Sequence, residues 1–183
     1  MDAPALDYGV IDLNDGAAVP FRPILPSDAA ALQRFHARLS HRSIYQRFFT
    51  YQPTLGDTQA HYFTELDGVQ RFALIALDPM EPGEIAGVVR YERDAGTDDA
   101  EYAAVIADRW QGRGLGLALT RRLIDSARLR GIRTFYALVL FENARMLNLF
   151  RDLQLPERVT FEQEIERVEI DLTAADHGVV TNS

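Results

Sequence analysis

The sequence predicts a mixed α/β domain that forms one layered unit. Three observations support this class. Helical segments come first, strand-like segments typical of an antiparallel meander follow, and a strand–helix–strand–helix order closes the chain. Several apolar stretches have the length of a strand and are bounded by turn residues. A glycine cluster separates a strand-like segment from an amphipathic helix. At 183 residues, one domain is expected, and we assign it to residues 17–173.

The first third of the chain is predicted to contain one strand and three helices. Residues 1–16 are expected to be a loose lead-in with room for one short strand, and residues 19–24 form the first strand. Asp28 is an N-cap candidate for the helix that follows. The buried face of that helix carries Leu32, Phe35 and Leu39. Two more helical segments are predicted at residues 43–51 and 57–66.

The middle of the chain changes to strand periodicity. Residues 71–77 form an apolar run, residues 84–92 are a second strand of a meander, and residues 101–107 are a further strand. Segments rich in turn residues, 78–83 and 94–99, separate them. This pattern predicts antiparallel strands in one sheet.

The last third returns to alternating helices and strands. The glycine cluster opens a helix that runs to about Arg130, residues 134–140 form a strand, and residues 143–153 form the final helix. Residues 160–172 are predicted to hold one or two closing strands. Residues 174–183 are expected to be a flexible tail.

Two missing residue types exclude several chemistries. All 19 cationic residues are arginine, and the chain contains no cysteine. Without lysine there is no Schiff-base chemistry and no phosphate loop of the G-x-x-x-x-G-K-[ST] type. Without cysteine there is no thiolate nucleophile, disulfide or thiolate-bound metal.

Charge and hydropathy restrict the partners. The net charge of −8 argues against a general nucleic-acid binder, and no apolar stretch approaches the length of a membrane span. No secretory signal is visible at the N-terminus, so a cytoplasmic protein without nucleic-acid or membrane partners is expected. The four histidines lack metal-ligand spacing, which predicts no metal site.

The glycine cluster indicates an anion site. Residues 107–117 hold Gly112, Gly114 and Gly116 between a strand and a helix, where free N–H groups favour a pyrophosphate. A dinucleotide fingerprint is disfavoured because the spacing is G-x-G-x-G and residues 134–141 lack a carboxylate. A kinase loop would need a lysine. A purely structural turn is the remaining alternative.

The segment Gln111-Gly112-Arg113-Gly114-Leu115-Gly116 resembles the Q/R-x-x-G-x-G/A motif of the GCN5-related N-acetyltransferase (GNAT) superfamily. The likeness extends over about residues 17–155 and is greatest to the acetyltransferase domain of bacterial protein-lysine acetyltransferases. Other segments that carry it are 21–23, 27–28, 38–49, 100–103 and 141–147. The resemblance implies a mostly antiparallel, twisted sheet of six to seven strands with about four flanking helices, splayed where acetyl-CoA binds.

The resemblance also implies roles for individual residues. Those expected to hold acetyl-CoA are Ala103, Ala104, Val105, Gln111, Gly112, Arg113, Gly114, Leu115, Gly116 and Asn143. Arg109 is a further candidate partner of the phosphates. Glu101 is the candidate catalytic base, and Glu92 and Asp108 are the reserve candidates. Other members of the superfamily carry a catalytic glutamate on the strand before the conserved asparagine. In this chain that strand, residues 134–140, contains no glutamate. A solvated strand-end carboxylate is the alternative for Glu101, and a helix N-cap is the alternative for Asn143.

One position departs from the family pattern. Phe150 stands where many relatives carry a tyrosine that protonates the departing thiolate. The leading hypothesis is an acetyl-CoA-dependent N-acetyltransferase that works by direct attack in a ternary complex, with a protein lysine or a small-molecule amine as acceptor. The alternative is a non-catalytic acyl-CoA-binding or sensing module. A homodimer is among the states that the sequence allows.

Overall fold

The computed structural model describes residues 5–162 and 164–174. One sheet runs through the molecule, with helices on both faces. Its eight strands are β1 (Gly9–Asp12), β2 (Ala18–Pro23), β3 (Arg71–Leu77), β4 (Ile85–Arg93), β5 (Asp99–Ile106), β6 (Thr134–Leu140), β7 (Glu157–Glu162) and β8 (Ile165–Asp171). The five α-helices are α1 (Ala29–Ala37), α2 (His41–Phe48), α3 (Asp57–Thr64), α4 (Leu115–Leu129) and α5 (Ala144–Leu153).

The sheet confirms the predicted class and is larger than expected. Its strand order is β1-β2-β3-β4-β5-β6-β8-β7, and only β5 and β6 are parallel. The count exceeds six to seven strands because the lead-in contributes β1 and the closing segment folds back as the hairpin β7–β8. The helices α1, α2 and α3 lie where three helical segments were predicted, and the described total of five is one more than the resemblance implied.

The strands β5 and β6 diverge soon after they meet. They pair only at Asp99, Ala100 and Glu101, whereas β5 stays paired with β4 as far as Ile106. Beyond the divergence, β6 continues along β8 to Leu140. The predicted splay of the sheet is therefore present, and it begins at Glu101.

Two apolar cores cover the two faces of the sheet. One core contains Leu119 and Leu123 of α4 with Phe150 of α5, and it packs against Tyr102 and Phe135 of the sheet. The other lies under α1, α2 and α3. Alternate residues of β5 therefore face different helices, as expected for a strand covered on both sides.

Asp28 differs from its predicted role as a side-chain helix cap. It precedes α1, but its carboxylate makes no cap bond to that helix. Instead it accepts hydrogen bonds from the Leu25 N–H at 2.7 Å and from both terminal nitrogens of Arg22 at 2.7 and 2.8 Å. The arginine and the preceding turn compete successfully for the carboxylate oxygens.

Asp7, within the segment predicted as a loose lead-in, binds residues 5–7 to α4. Residues Ala5–Asp7 form a 3-10 turn, and the Asp7 side chain is fully buried. It accepts hydrogen bonds from Ser126 Oγ at 2.5 Å and Arg130 Nη2 at 2.7 Å. The predicted tail, residues 174–183, lies outside the described residues except for Ala174.

Asp78, in the turn after β3, holds the segment that precedes α4. Its carboxylate accepts from the Trp110 indole N–H at 2.7 Å, from the Met80 N–H at 2.8 Å and from Arg109 Nη2 at 2.5 Å. Only 1% of this side chain is exposed. The contact joins the β3–β4 turn to the glycine-rich segment.

We expect Asp7→Ala to destabilise the fold by about 3 kcal/mol, because it leaves the guanidinium of Arg130 without its carboxylate in a buried position. Urea unfolding monitored by circular dichroism measures this loss. The matched control is Asp12→Ala on exposed β1, which should stay within about 0.5 kcal/mol of the parent chain. Equal stability of the two variants would contradict the role of Asp7.

Asp78→Asn should weaken the acid dependence of stability. Burial raises the pKa of the Asp78 carboxyl, but the hydrogen bonds from Trp110 and Met80 and the charge of Arg109 outweigh it, so the pKa lies below its usual value. Such a carboxylate stabilises the fold above its unfolded pKa, and this contribution disappears as pH falls through the lower folded pKa.

Unfolding free energies measured between neutral pH and the acid range below about pH 4 test this expectation. The Asp78→Asn variant should be less stable at neutral pH and lose less stability on acidification. Asp152→Asn, at an exposed aspartate of α5, should follow the parent curve. A parent-like curve for Asp78→Asn would contradict the assignment.

Candidate active site

The glycine-rich segment forms a turn that exposes the N-terminus of α4. A 3-10 turn, Asp108–Trp110, leads into it, and α4 begins at Leu115. Gly112 and Gly114 have φ angles of +72° and +85°, which residues other than glycine rarely adopt. The first N–H groups of an α-helix lack intrahelical partners. The turn therefore has the backbone and the helix end that an anion requires.

Polar contacts tie this turn to α2. Asp108 accepts from Ser40 N–H at 2.9 Å, from Ser40 Oγ at 2.6 Å and from Ser43 Oγ at 3.0 Å. Burial raises the pKa of Asp108, but these hydrogen bonds outweigh it and lower the pKa. Gln111 Nε2 donates to Ser43 Oγ at 3.1 Å and to the Ile106 carbonyl at 2.8 Å. The glycine turn and the start of α2 thus form one hydrogen-bonded unit.

The arginines beside the turn already hold carboxylates. Arg109 contacts Asp78 and also Glu81, at 2.6 Å. Arg113 pairs with Asp15 at 2.6 Å, and its guanidinium carbon lies 4.1 Å from the centre of the Trp110 ring system. The Arg113 hydrogen bond lowers the pKa of Asp15. Sequence pattern did not reveal these pairings, because the carboxylates come from other parts of the chain.

The remaining loop residues act through their backbone. The Leu115 side chain is fully buried in the core, so only its main chain faces the turn. A Cβ on Gly116 would lie 3.4 Å from both Ile106 and Leu149, so this glycine lets α4 approach β5 and α5 closely.

A groove leads from the glycine turn along β5. Its wall includes Ala104, Val105 and Ile106 of β5, and Met146 and Leu149 of α5. The side of β5 that would pair with β6 is open here, because pairing stops at Glu101. Ala103, Ala104 and Val105, the predicted contacts of the cofactor arm, are half-buried along this edge.

Asn143 stands at the far side of the groove. Its Oδ1 accepts from the Met146 N–H at 3.2 Å, which confirms that it caps α5. The residue also borders the cavity that contains Glu101. Its predicted contact with a cofactor arm stays a prediction.

Glu101 marks the point where the sheet opens. It is exposed, and it lines a small cavity with Ala103, Leu138 and Asn143. Within residues 5–162 and 164–174, no protein group donates a hydrogen bond to its carboxylate. A carboxylate in this position is available to accept a proton from a bound molecule.

The two reserve candidates are engaged elsewhere. Both carboxylate oxygens of Glu92, the cross-strand neighbour of Glu101, accept from Tyr62 Oη at 3.1 Å, and Arg71 Nε lies 3.7 Å away. Asp108 is held by its serine contacts. The geometry therefore favours Glu101 among the three carboxylates.

Phe150 belongs to the core. Only 2% of it is exposed, and its ring meets the ring of Tyr102 edge-on at 5.6 Å. The Tyr102 hydroxyl is buried and lies 2.7 Å from Thr120 Oγ1, and burial raises its pKa far above the usual value. Neither side chain can protonate a leaving group at the groove.

Arg47 of α2 borders both the groove and the Glu101 cavity. Sequence reasoning assigned it no role, since it lies far from the glycine turn and from Glu101 along the chain. No local pattern could have identified it, because α2 reaches this place only through tertiary packing.

Two searches of the described residues found nothing. No group of three or more His, Cys, Asp or Glu in this part of the chain is placed to hold a metal ion. None of the helices seen there has the length and apolar character needed to cross a bilayer.

Comparisons with known proteins agree with this geometry. An acetyltransferase of Pseudomonas aeruginosa is 33% identical over 145 residues, 78% of this chain and 77% of that protein. The solved GNAT domain of S. lividans PAT is 36% identical with a TM-score of 0.85, covering 93% of this chain and 99% of that chain.

A more distant neighbour shares the fold. The structure of yncA, a putative acetyltransferase from Salmonella typhimurium, contains its cofactor acetyl-CoA. It is 18% identical with a TM-score of 0.66, covering 90% of this chain and 99% of that chain. The sequence model of the acetyltransferase (GNAT) family matches residues 38–154. The chain therefore belongs to the acetyltransferase (GNAT) family.

Proposed function

We propose that this enzyme transfers the acetyl group of acetyl-CoA to a primary amine, by direct attack within a ternary complex. The observation that carries the proposal is the opening of the sheet at Glu101. The opening leaves one edge of β5 unpaired between the glycine turn and the carboxylate of Glu101. An extended acyl donor needs an anion site for its phosphates, hydrogen-bonding groups for its arm and a base near its thioester.

Each part of the donor has a partner in the site. The pyrophosphate would accept hydrogen bonds from the backbone of Gly112, Gly114 and the first turn of α4. The pantetheine amides would pair with the open edge of β5 at Ala103, Ala104 and Val105, as an added strand would. Asn143 would meet the arm near its sulfur.

The reaction begins when Glu101 takes a proton from the acceptor ammonium, directly or through water. The neutral amine attacks the thioester carbon and forms the C–N bond. A main-chain N–H of β5 stabilises the oxyanion. The C–S bond then breaks, its electron pair leaves with the sulfur, and the nitrogen gives up its second proton to water as the amide forms. Because the chain has no cysteine, no thioester acyl-enzyme can form, and sequential kinetics are expected.

The acceptor is a protein lysine or a small-molecule amine. A non-catalytic acyl-CoA-binding module is the second candidate, favoured by the buried Phe150 in place of an acid. Tight CoA binding without turnover on a panel of small amines and lysine-containing proteins would support that second candidate. Turnover on any of these acceptors would support the transferase.

Glu101→Gln should reduce kcat by about a hundredfold or more while leaving the Kd of acetyl-CoA unchanged, because it removes the proton acceptor and keeps the shape. Part of the loss should be recovered at high pH, where more of the amine is already neutral. Steady-state rates from pH 6 to about 10, with calorimetric binding, measure both effects.

Glu92→Gln is the matched control on the neighbouring strand, where Tyr62 and Arg71 already occupy the carboxylate. It should retain most of the activity. Full activity of Glu101→Gln across this pH range would overturn the assignment of the base.

Gly114→Trp should abolish detectable CoA binding, because the indole would fill the space in front of the α4 N-terminus. No atom lies within 4 Å of a Cβ built on Gly114, so the side chain would project into the turn's open side. Calorimetric titration with CoA measures the loss.

Gly96→Trp is the control for backbone strain. Gly96 has a φ of +76°, equally open surroundings and a place in the β4–β5 turn, at the other end of β5. Both variants should be destabilised to a similar degree, by about 1–2 kcal/mol. CoA binding that survives in Gly114→Trp would contradict the assignment of the turn.

A further inference from the structure

The proposed reaction leaves one charge without a partner. When the C–S bond breaks, the sulfur carries a negative charge. The hydroxyl of Tyr102, which borders the Glu101 cavity, is buried and hydrogen-bonded to Thr120 in the core under α4. Phe150 has no proton to donate. The inference below rests on the proposed function and concerns the group that receives this charge.

Arg47 lies where that charge develops. The thioester carbon must be reached both from the β5 groove, which holds the arm, and from the cavity of Glu101. Five side chains in the described part of the chain border both spaces, namely Gln46, Arg47, Ala104, Asn143 and Met146. Arg47 is the only one of these five that is charged.

The guanidinium of Arg47 has capacity for an anion. Its carbon lies 4.9 Å from the centre of the Phe48 ring. Among the side chains that the structure describes, no carboxylate oxygen lies within 4.0 Å of this guanidinium. By contrast, Arg109 and Arg113 at the glycine turn both hold carboxylates. An arginine has five N–H donors, and those of Arg47 are not committed to an ion pair.

The surroundings of Arg47 strengthen the electrostatic attraction between its guanidinium and an anion. Burial lowers the pKa of its guanidinium, and attraction to Glu101 partly opposes this. Arg90 is half-buried, as Arg47 is, and the same cavity under α1 and α3 borders both arginines. Arginine stays protonated under such conditions. The partly desolvated cations favour a negative charge more than exposed ones would.

We propose that Arg47 is a catalytic residue that stabilises the thiolate of departing CoA. The amine proton goes to Glu101, the C–N bond forms, and the C–S bond breaks with its electron pair on sulfur. Arg47 holds the thiolate by a charge-assisted contact until the thiolate takes up, through water, the second proton that the nitrogen loses as the amide forms. No oxidant, metal or acidic side chain is required.

The test is the pKa of the CoA thiol in the binary complex with the enzyme. Ultraviolet absorbance of the thiolate, followed over pH at saturating protein, reports this value. In the parent enzyme it should lie at least about 1 unit below that of free CoA. A bound thiol with the pKa of free CoA, or a higher one, would overturn the proposal without any variant being made.

Arg47→Met should raise the pKa of the bound thiol by about 1 unit, and Arg47→Lys should restore most of the difference because it keeps the charge. The Kd of CoA at neutral pH, where the thiol is protonated, should change little. Arg42→Met, on the exposed part of the same helix, is the matched control and should behave as the parent. If Arg47→Met leaves the thiol pKa unchanged, the proposal is wrong.

Kinetics give a separate readout. Arg47→Met should lower kcat about tenfold or more and leave the KM of acetyl-CoA nearly unchanged, because the interaction forms as the bond breaks. Failure of the proposed function is distinguishable: an enzyme that acetylates no amine could still lower the pKa of bound CoA. If Arg47→Met does not fold, Arg47→Lys and Arg47→Gln provide the same comparison.

Discussion

The divergence of β5 from β6 is the constraint on which the rest of the site depends. A strand inside a sheet satisfies its backbone on both sides, and β5 gives this up on one side after Glu101. Unpaired N–H and C=O groups must find other partners, and a ligand that carries amides can supply them. Pairing of β5 with β4 keeps the open edge rigid. The same break leaves room beside Glu101 for an acceptor.

The distribution of arginines explains how an acidic protein can host an anionic ligand. The net charge is −8, yet the glycine turn and the groove are bordered by several guanidinium groups. Asp15, Asp78 and Glu81 neutralise those beside the turn and fix its shape. In the proposed complex, the phosphates of the donor would then be bound mainly by the backbone and by the N-terminus of α4. Arg47 differs because it approaches the groove from α2 and pairs with no carboxylate of the described side chains.

Sequence patterns located the elements that depend on local periodicity. The strands at residues 71–77 and 134–140 have the predicted bounds, because an apolar run between turn residues is a strong local indication. The sequence did not define the bounds of β1, because the segment that leads into it is held on α4 by the long-range contact between Asp7 and Arg130. The hairpin β7–β8 was ambiguous because the segment lacks a marked turn.

In the candidate site, as in the fold, the parts that local sequence patterns indicate were predictable and the long-range contacts were not. The glycine turn and Glu101 could be proposed from motif and resemblance, and they lie beside two adjoining spaces, the β5 groove and the Glu101 cavity. The engagement of Glu92 by Tyr62, the pairing of Arg113 with Asp15 and the position of Arg47 could not. These contacts join residues that are distant in the chain, and no local pattern specifies which carboxylate meets which arginine.

Asp108 has one more consequence, for the order in which substrates add. The same carboxylate holds the 3-10 turn before the glycines and the first residues of α2. In the proposed complex, a donor bound at the turn would therefore also restrain the helix that carries Arg47. Part of the conformational entropy of the residues around the acceptor would be lost when the donor binds, before the amine arrives. This shared anchor would favour addition of the donor before the acceptor.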